Sequence, residues 1–552
     1  MALPRIVWLL VDGLPHELVR AYSAACPGSG LAALHAQHRT VPLTPLAPNC
    51  QTPPSLFTIW SGRESEEHRL LGYDVPQAVK GDPTAYVEGF QAWPRDIRMV
   101  WDLYADQLHT IRTCAAPFVQ PDRLWPWLLS ATDVFRPPLA APRVLGDGEI
   151  LSIAALALNL RVEANDREIV LLDDQGCECW RCAFSSGQPE EPWLLSVAVA
   201  GDTHLALRLR GAWIDGQPKL IFLGYHPVLV HGTAAEARTR RGRATPYVVA
   251  NPGKLYAGGE LGRRIDQGGQ GLAEELLVSL MHDVHDSFAA DILGAVQAGD
   301  ADLVVGYYPV IDLLCHQLLR HAVRNEQLNG PLAGAFLEVM DWLDKLIAAL
   351  AERIGPQVRF IVNSDHGMLP IAWEVSPNVL FAKLGWIASR PDGAIDPTRS
   401  IVFFHPAENG LLVFHRERLR DIGMTAGAVI DLLATAVAAA GLPGLKTIPG
   451  APAPLGEAWQ SDLYLQSPPG ARARANLHGE LVKRSTKGGD HTVCSSQPWL
   501  RGTLIDAGMT RWLPPCNGEL ALAQLLPLVM AATSLTGAKE AAGMPDEAIP
   551  SP

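Results

Sequence analysis

Short, unbroken apolar runs alternate with helical patterns along this chain. Residues 6–11 (IVWLLV), 303–307 (LVVGY) and 358–362 (VRFIV) are such runs, and each ends in polar residues at its C-terminal edge. Apolar spacings of three to four residues predict helices over 15–37, 271–298 and 332–353. The second carries Leu276, Leu277, Leu280 and Met281 on one face, and the third Val339, Leu343 and Leu346. Further helices are expected over 425–440 and 519–534. Continuous apolar strands separated by amphipathic helices read as an α/β protein whose central sheet is mostly parallel. In such sheets, functional groups collect beyond the C-terminal strand ends.

One stretch breaks the pattern. Residues 146–232 alternate polar and apolar positions and carry turn signals such as Asp215-Gly216, which predicts antiparallel hairpins. They read as a β-rich insertion, a possible cap, in a discontinuous core of residues 1–145 and 233–535. Residues 536–552 lack apolar periodicity and read as a flexible tail. No internal repeat is visible.

Composition narrows the class. Of 552 residues, 48% are hydrophobic and 19% charged, which supports a large buried core and excludes a mainly disordered chain. The net charge of −13 (45 basic, 58 acidic) argues against a nucleic-acid coat. No apolar run reaches the roughly 18–20 residues of a membrane span. The N-terminal stretch turns acidic too early for a signal peptide. Nine thinly spread cysteines fit a reducing compartment. The expectation is a cytoplasmic protein with no membrane and no nucleic-acid partner.

Five places carry acids, imidazoles or a hydroxyl where a site would form. Asp12-Gly13 follows the first strand; Thr52 precedes a short helix; Asp312 and His316 share a helix face at i, i+4; Asp365-His366 follow another strand; and His491 lies late in the chain. Each has a plain structural reading when taken alone. Together, three aspartates and three histidines suffice to ligate two divalent ions, and N/O ligands without thiolate suit Zn²⁺ or Mn²⁺. A hydroxyl beside such ions becomes a nucleophile. At a helix N-terminus, Thr52 would also bring backbone N–H groups to an anion.

With these residues in place, the sequence resembles the alkaline phosphatase superfamily, on the branch of type I phosphodiesterases and nucleotide pyrophosphatases. The family's ordered motifs read here as VDG (ending in Gly13), TPPSLFTIWSG (Thr52 to Gly62), DLLCH (Asp312 to His316), SDHGM (Ser364 to Met368) and GDH (ending in His491). The match covers most of the chain outside the insertion and tail. The resemblance implies a mostly parallel sheet between helix layers. It implies one metal held by Asp12, Asp365 and His366 with Thr52 touching it, and a second held by Asp312, His316 and His491. It also implies Thr52 as the nucleophile, forming a phospho-threonine that water hydrolyses. Cys50 lies two residues too early for a sulfatase nucleophile, and no arginine follows in register.

The sequence departs from the family at the substrate contacts. Tyr73 stands where the branch carries an asparagine, and His68-Arg69 where it carries His-Gly. Tyr73, Arg63 or Arg69 would then supply the missing donor. Lys483 and Lys487, ahead of His491, are further phosphate-binding candidates. The expected activity is cleavage of a phosphate diester, pyrophosphate or phosphonate bond in a small phosphorylated or phosphonate substrate. The alternatives are a phosphomonoesterase or cofactor-independent phosphomutase, and a catalytically silent binding member. Remaining features have bland readings. Cys177, Cys179 and Cys182 lack a fourth zinc ligand. Arg238, Arg240, Arg241 and Arg243 read as a solvated loop. His282 and His285 read as structural, and Tyr307-Tyr308 as a wall of the substrate pocket.

Overall fold

The computed structural model describes residues 5–135, 140–154, 157–185, 188–189, 193–199, 203–224, 229–232, 251–512 and 518–533. Its centre is a nine-stranded sheet. In spatial order the strands are Leu229–Gly232, Leu128–Asp133, Ile111–Cys114, Leu303–Tyr308, Ile6–Val11, Arg359–Asn363, Gly502–Asp506, Thr40–Thr44 and Leu520–Ala521. The five strands from Leu128–Asp133 to Arg359–Asn363 run parallel. Leu229–Gly232 and Gly502–Asp506 run antiparallel to their neighbours. The central strands Ile6–Val11 and Leu303–Tyr308 are buried on both faces, which is why they read as continuous apolar runs. Helices Leu272–Ala298, Val310–Ala322 and Ala333–Ile354 pack on one another against the sheet. The fold is α/β, with helices packed on a mostly parallel central sheet and several smaller sheets beside it.

Register brings the site together. Val11 pairs with Tyr308, and Leu10 with both Tyr307 and Asn363. Three parallel strands therefore end level, and the residues that follow them meet above one edge.

The helix expected over 15–37 is two helices, His16–Ala25 and Gly30–Ala36. Pro27 and Gly28 break the pattern, and Ser29 restarts it by accepting the Ala32 N–H at 3.1 Å. The last expected helix is shorter, covering Leu525–Thr533 after a 3₁₀ turn at Leu522–Gln524. The tail 536–552 lies outside the described residues.

Within 143–222 the strands form two antiparallel sheets, one of five strands and one of four. Leu145, Leu151, Leu160, Val162, Leu220 and Phe222 make a separate apolar cluster there. Arg210 pins this unit to helix Leu272–Ala298, with Nη2 3.1 Å from Asp283. A second separate cluster, invisible as such in the sequence, joins the sheet of Val402–Phe404, Leu411–His415, Trp459–Gln466 and Lys446–Pro449 to helix Ala426–Ala439. No helix among the described residues is long and apolar enough to cross a membrane.

Candidate active site

Thr52 opens helix Thr52–Ser61 and is buried. Its Oγ1 lies 3.3 Å from His366 Nε2. His366 Nε2 in turn faces Asp365 Oδ2 at 3.2 Å and Asp12 Oδ1 at 3.4 Å. Asp312 Oδ1 faces His316 Nε2 at 3.4 Å, from one turn earlier on helix Val310–Ala322, and His491 Nε2 at 3.6 Å. The His366 and His491 rings stack with centroids 3.6 Å apart. Two groups of three could each hold an ion: Asp12, Asp365 and His366, and Asp312, His366 and His491. His316 flanks the second group through Asp312.

The histidine tautomers follow from their partners. The Nδ1 atoms of His316, His366 and His491 face the backbone oxygens of Gly489 (3.0 Å), Gly367 (2.9 Å) and Cys50 (3.3 Å). A carbonyl only accepts, so each Nδ1 carries the proton, and in a neutral ring each Nε2 presents a lone pair to the cluster. Opposite them, Asp12 Oδ1, Asp312 Oδ1 and Asp365 Oδ2 are buried and lack any hydrogen-bond partner. Acceptors thus face acceptors. Such a pocket is satisfied by a group from outside that brings positive charge or a donor, and a cation meets all of these acceptors at once.

The proton affinities show the same frustration. Burial, then Asp365 and Asp312, hold the Asp12 carboxyl well above its usual range. Burial is also the main cause that pushes Asp312 up to about 7. His316 and His491 are pushed well below the ordinary imidazole value, chiefly by burial. His366 goes the other way: burial opposes its charge, but Asp365 and Asp312 outweigh it and raise the value. A divalent ion would reverse this logic by favouring the ionised carboxylates. The N/O donor set fits Zn²⁺ or Mn²⁺.

Glycines let the ligand segments close up. Gly13 has φ +62°, and a Cβ there would lie 2.8 Å from Asp312 Cβ. Its N–H donates to Asp365 Oδ1 at 3.1 Å. Gly489 runs so tightly over helix Val310–Ala322 that a Cβ would meet Cys315 O at 2.5 Å.

The substrate-contact candidates separate. Tyr73 is 40% exposed overall, yet its hydroxyl end is buried. That burial and the charges of Asp12 and Asp312 push its pKa well up, while the neighbouring Thr52 side chain acts in the opposite direction. Arg63 follows the far end of the Thr52 helix, about 15 Å along its axis at 1.5 Å per residue, and pairs with Glu67 at 2.9 Å. Arg69 is an exposed helix cap with φ +54°. Helix length therefore carries Arg63 away from Thr52, and Arg69 is exposed to solvent. Lys483 pairs with Glu374 at 3.4 Å, and Lys487 lies beside the Asp312 end.

Other expectations are corrected. Pro53 and Pro54 have no N–H, and the Ser55 N–H is bonded to Gln51 O at 3.2 Å. The first turn therefore offers an anion only the Thr52 N–H, not a set of donors. Tyr307 and Tyr308 do not wall an open pocket, because alternate strand residues face opposite ways and both are buried. Tyr307 donates from its hydroxyl to Asp12 Oδ2, whereas Tyr308 bonds His285 Nδ1 at 2.8 Å. No local pattern in the chain signals the Tyr307 contact. The same alternation exposes Cys179 and buries Cys182, which splits the three thiols. Arg238, Arg240, Arg241 and Arg243 lie outside the described residues.

Residues 238–420 match the family model of type I phosphodiesterase / nucleotide pyrophosphatase. No curated protein sequence matches the chain. Among solved structures, human ectonucleotide pyrophosphatase / phosphodiesterase 5 is 10% identical, with 96% of this chain and 95% of that chain covered and a TM-score of 0.47. Phosphonoacetate hydrolase from Sinorhizobium meliloti, in complex with phosphonoacetate, is 12% identical, with 97% and 96% covered and a TM-score of 0.48. Wild-type alkaline phosphatase PafA is 12% identical, with 97% of both chains covered and a TM-score of 0.44. The matched segment includes Asp312, His316, Asp365 and His366, whereas Asp12, Thr52 and His491 of the same cluster lie outside it.

Proposed function

We propose that this protein is a two-metal phosphohydrolase that cleaves a phosphate diester, pyrophosphate or phosphonate bond through a covalent phospho-threonine on Thr52. One observation carries the reading. Three unpartnered carboxylate oxygens and three imidazole Nε2 atoms converge next to a buried threonine hydroxyl. Asp12, Asp365 and His366 would hold one ion, and Asp312, His316 and His491 the other. Bound there, Zn²⁺ or Mn²⁺ would neutralise the phosphoryl oxygens and the oxygens that enter and leave phosphorus.

The protein's own groups do the rest. The Thr52 Oγ–P bond forms as the bond to the leaving group breaks, and water later takes the phosphoryl group and returns the threonine hydroxyl. Tyr73 stays protonated across the physiological range, because burial and two aspartates raise its pKa. It therefore remains a donor to a non-bridging oxygen, in the role the missing asparagine would fill, alongside the Thr52 N–H. Tyr307 fixes Asp12, and the carbonyls of Gly489, Gly367 and Cys50 fix the three imidazoles.

The test is a paired hydrolysis assay on metal-loaded protein. The substrates are bis(p-nitrophenyl) phosphate, p-nitrophenyl phosphate and p-nitrophenyl phenylphosphonate. The diester or phosphonate ester should be preferred, and Thr52→Ala should lower kcat by roughly 1,000-fold or more. Acid-quenched enzyme should carry, on the Thr52 peptide by mass spectrometry, a p-nitrophenylphosphoryl group from the diester or a phenylphosphonyl group from the phosphonate ester. Preference for the monoester would move the activity to the phosphomonoesterase or mutase alternative. Unchanged turnover in Thr52→Ala would overturn the nucleophile.

A further inference from the structure

The metal cluster does not account for the cations beside it. Arg472 lies on the strand Ala471–Ala473, opposite Glu374 of Trp373–Val375, which in turn pairs with Lys483. Arg472 is only 7% exposed. Its Nε has no hydrogen-bond partner. Its nearest carboxylates stand off at 3.7 Å (Glu408) and 3.9 Å (Asp490).

Both acids are already engaged. Glu408 accepts from Arg474 at 2.8 Å and from the Ala475 N–H at 2.9 Å. Asp490 accepts from the Thr492 N–H at 3.2 Å. Lys483 is committed to Glu374. Lys487 adds a third cation at this spot. Burial and then Arg472 lower its pKa, and its charge acts on Asp312, His316 and His491. Arg472, Arg474 and Lys487 against Glu408 and Asp490 leave one positive charge unmatched. Divalent ions would neutralise the aspartates but not this excess. A buried guanidinium is unfavourable unless an anion pairs closely with it, and an anionic group of a ligand would supply that closer partner.

We propose that Arg472 and Lys487, backed by Arg474, form a subsite for a second anionic group of the substrate, a phosphate or a carboxylate within a few bonds of the reacting phosphorus. This rests on the phosphohydrolase reading of the adjacent cluster. It narrows the substrate class to molecules with two anionic groups, such as a pyrophosphate or a carboxylated phosphonate. The planar guanidinium suits bidentate capture of either group, and Lys487 adds a point charge.

The experiment measures probe binding to the full-length protein at saturating metal. The probes are methylphosphonate, with one anionic group, and inorganic pyrophosphate and 3-phosphonopropionate, with two. The wild type should bind one of the two-group probes at least about tenfold more tightly than methylphosphonate, since a hydrogen bond to a charged group contributes about 1.5–3 kcal/mol. Arg472→Gln and Lys487→Gln should each erase about 10–100-fold of that affinity and leave methylphosphonate within about twofold. Arg472→Lys should recover part of it. A gain for pyrophosphate alone identifies phosphate as the second group, and a gain for phosphonopropionate alone identifies carboxylate. Equal losses on all three probes, or no loss on any, overturn the subsite. If Arg472→Gln does not fold, the half-buried Lys487 carries the same test. Binding without turnover keeps the subsite and overturns the hydrolase reading. Turnover without discrimination between probes does the reverse.

Discussion

Replacing Tyr307 by phenylalanine removes one hydroxyl and keeps the ring. Its packing against Phe135, 5.3 Å between centroids, and Phe288, 6.4 Å, is retained. What disappears is the donor to Asp12 Oδ2. Asp12 Oδ1 already lacks a partner, so both oxygens of a buried carboxylate would then be unsatisfied. A hydrogen bond to a charged group contributes about 1.5–3 kcal/mol, which is about 10–100-fold in an equilibrium constant. Partners of metal ligands commonly matter on that scale. Affinity for Zn²⁺ should fall by this factor. The pH dependence has a definite sign. The Tyr307 hydrogen bond lowers the Asp12 pKa against burial and its acidic neighbours, so losing it raises that pKa further. An incoming ion must then displace a more tightly held proton, and the affinity curve shifts to higher pH. Chelator competition with Zn²⁺ over a pH series measures both effects, and thermal unfolding of the chelator-treated variant checks the fold. A variant that folds normally and binds Zn²⁺ within twofold of wild type at every pH would refute the assignment of Asp12 as a ligand oriented by Tyr307.

Two further outcomes are expected. His68 accepts the Leu70 N–H at Nδ1 (3.0 Å) and faces Thr58 Oγ1 through Nε2 (3.0 Å), and burial pushes its pKa from 6.5 to about 3. The unfolded chain binds this proton first as pH falls. The stability contribution is therefore complete above pH 6.5 and is lost progressively toward about 3, a few kcal/mol in all; urea unfolding at stepped pH should show a shallower slope in that window for His68→Gln. Gly489→Ala would place a methyl 2.5 Å from Cys315 O and 2.8 Å from Met368 Cγ. It should destabilise by about 1–3 kcal/mol and weaken metal binding, because the loop carrying His491 must lift from the helix carrying Asp312 and His316; chemical denaturation together with Zn²⁺ titration of the variant tests this, and wild-type values in both would contradict the close approach.

The chain's own pattern determined the elements and the chemistry of the site. Residues 6–11 read as a strand because burial on both faces leaves no room for polar positions. Asp12 and Asp365-His366 stood out because polar residues directly after such strands meet at one sheet edge, and Asp312 with His316 because i and i+4 share a helix face. These are short-range signals, written in neighbouring residues. Tertiary structure decided what depends on distant pairings. Strand register put Tyr307 on Asp12 and turned Tyr308 to the opposite face. The length of the Thr52 helix carried Arg63 away from Thr52, whereas the return of the chain put Tyr73 next to it. A separately packed unit between His366 and His491 delivered Arg472 beside the cluster, although its own stretch, GARARAN, reads like a solvated surface. Local periodicity says which face of an element is buried. Only the packing of elements far apart in sequence says what that face meets.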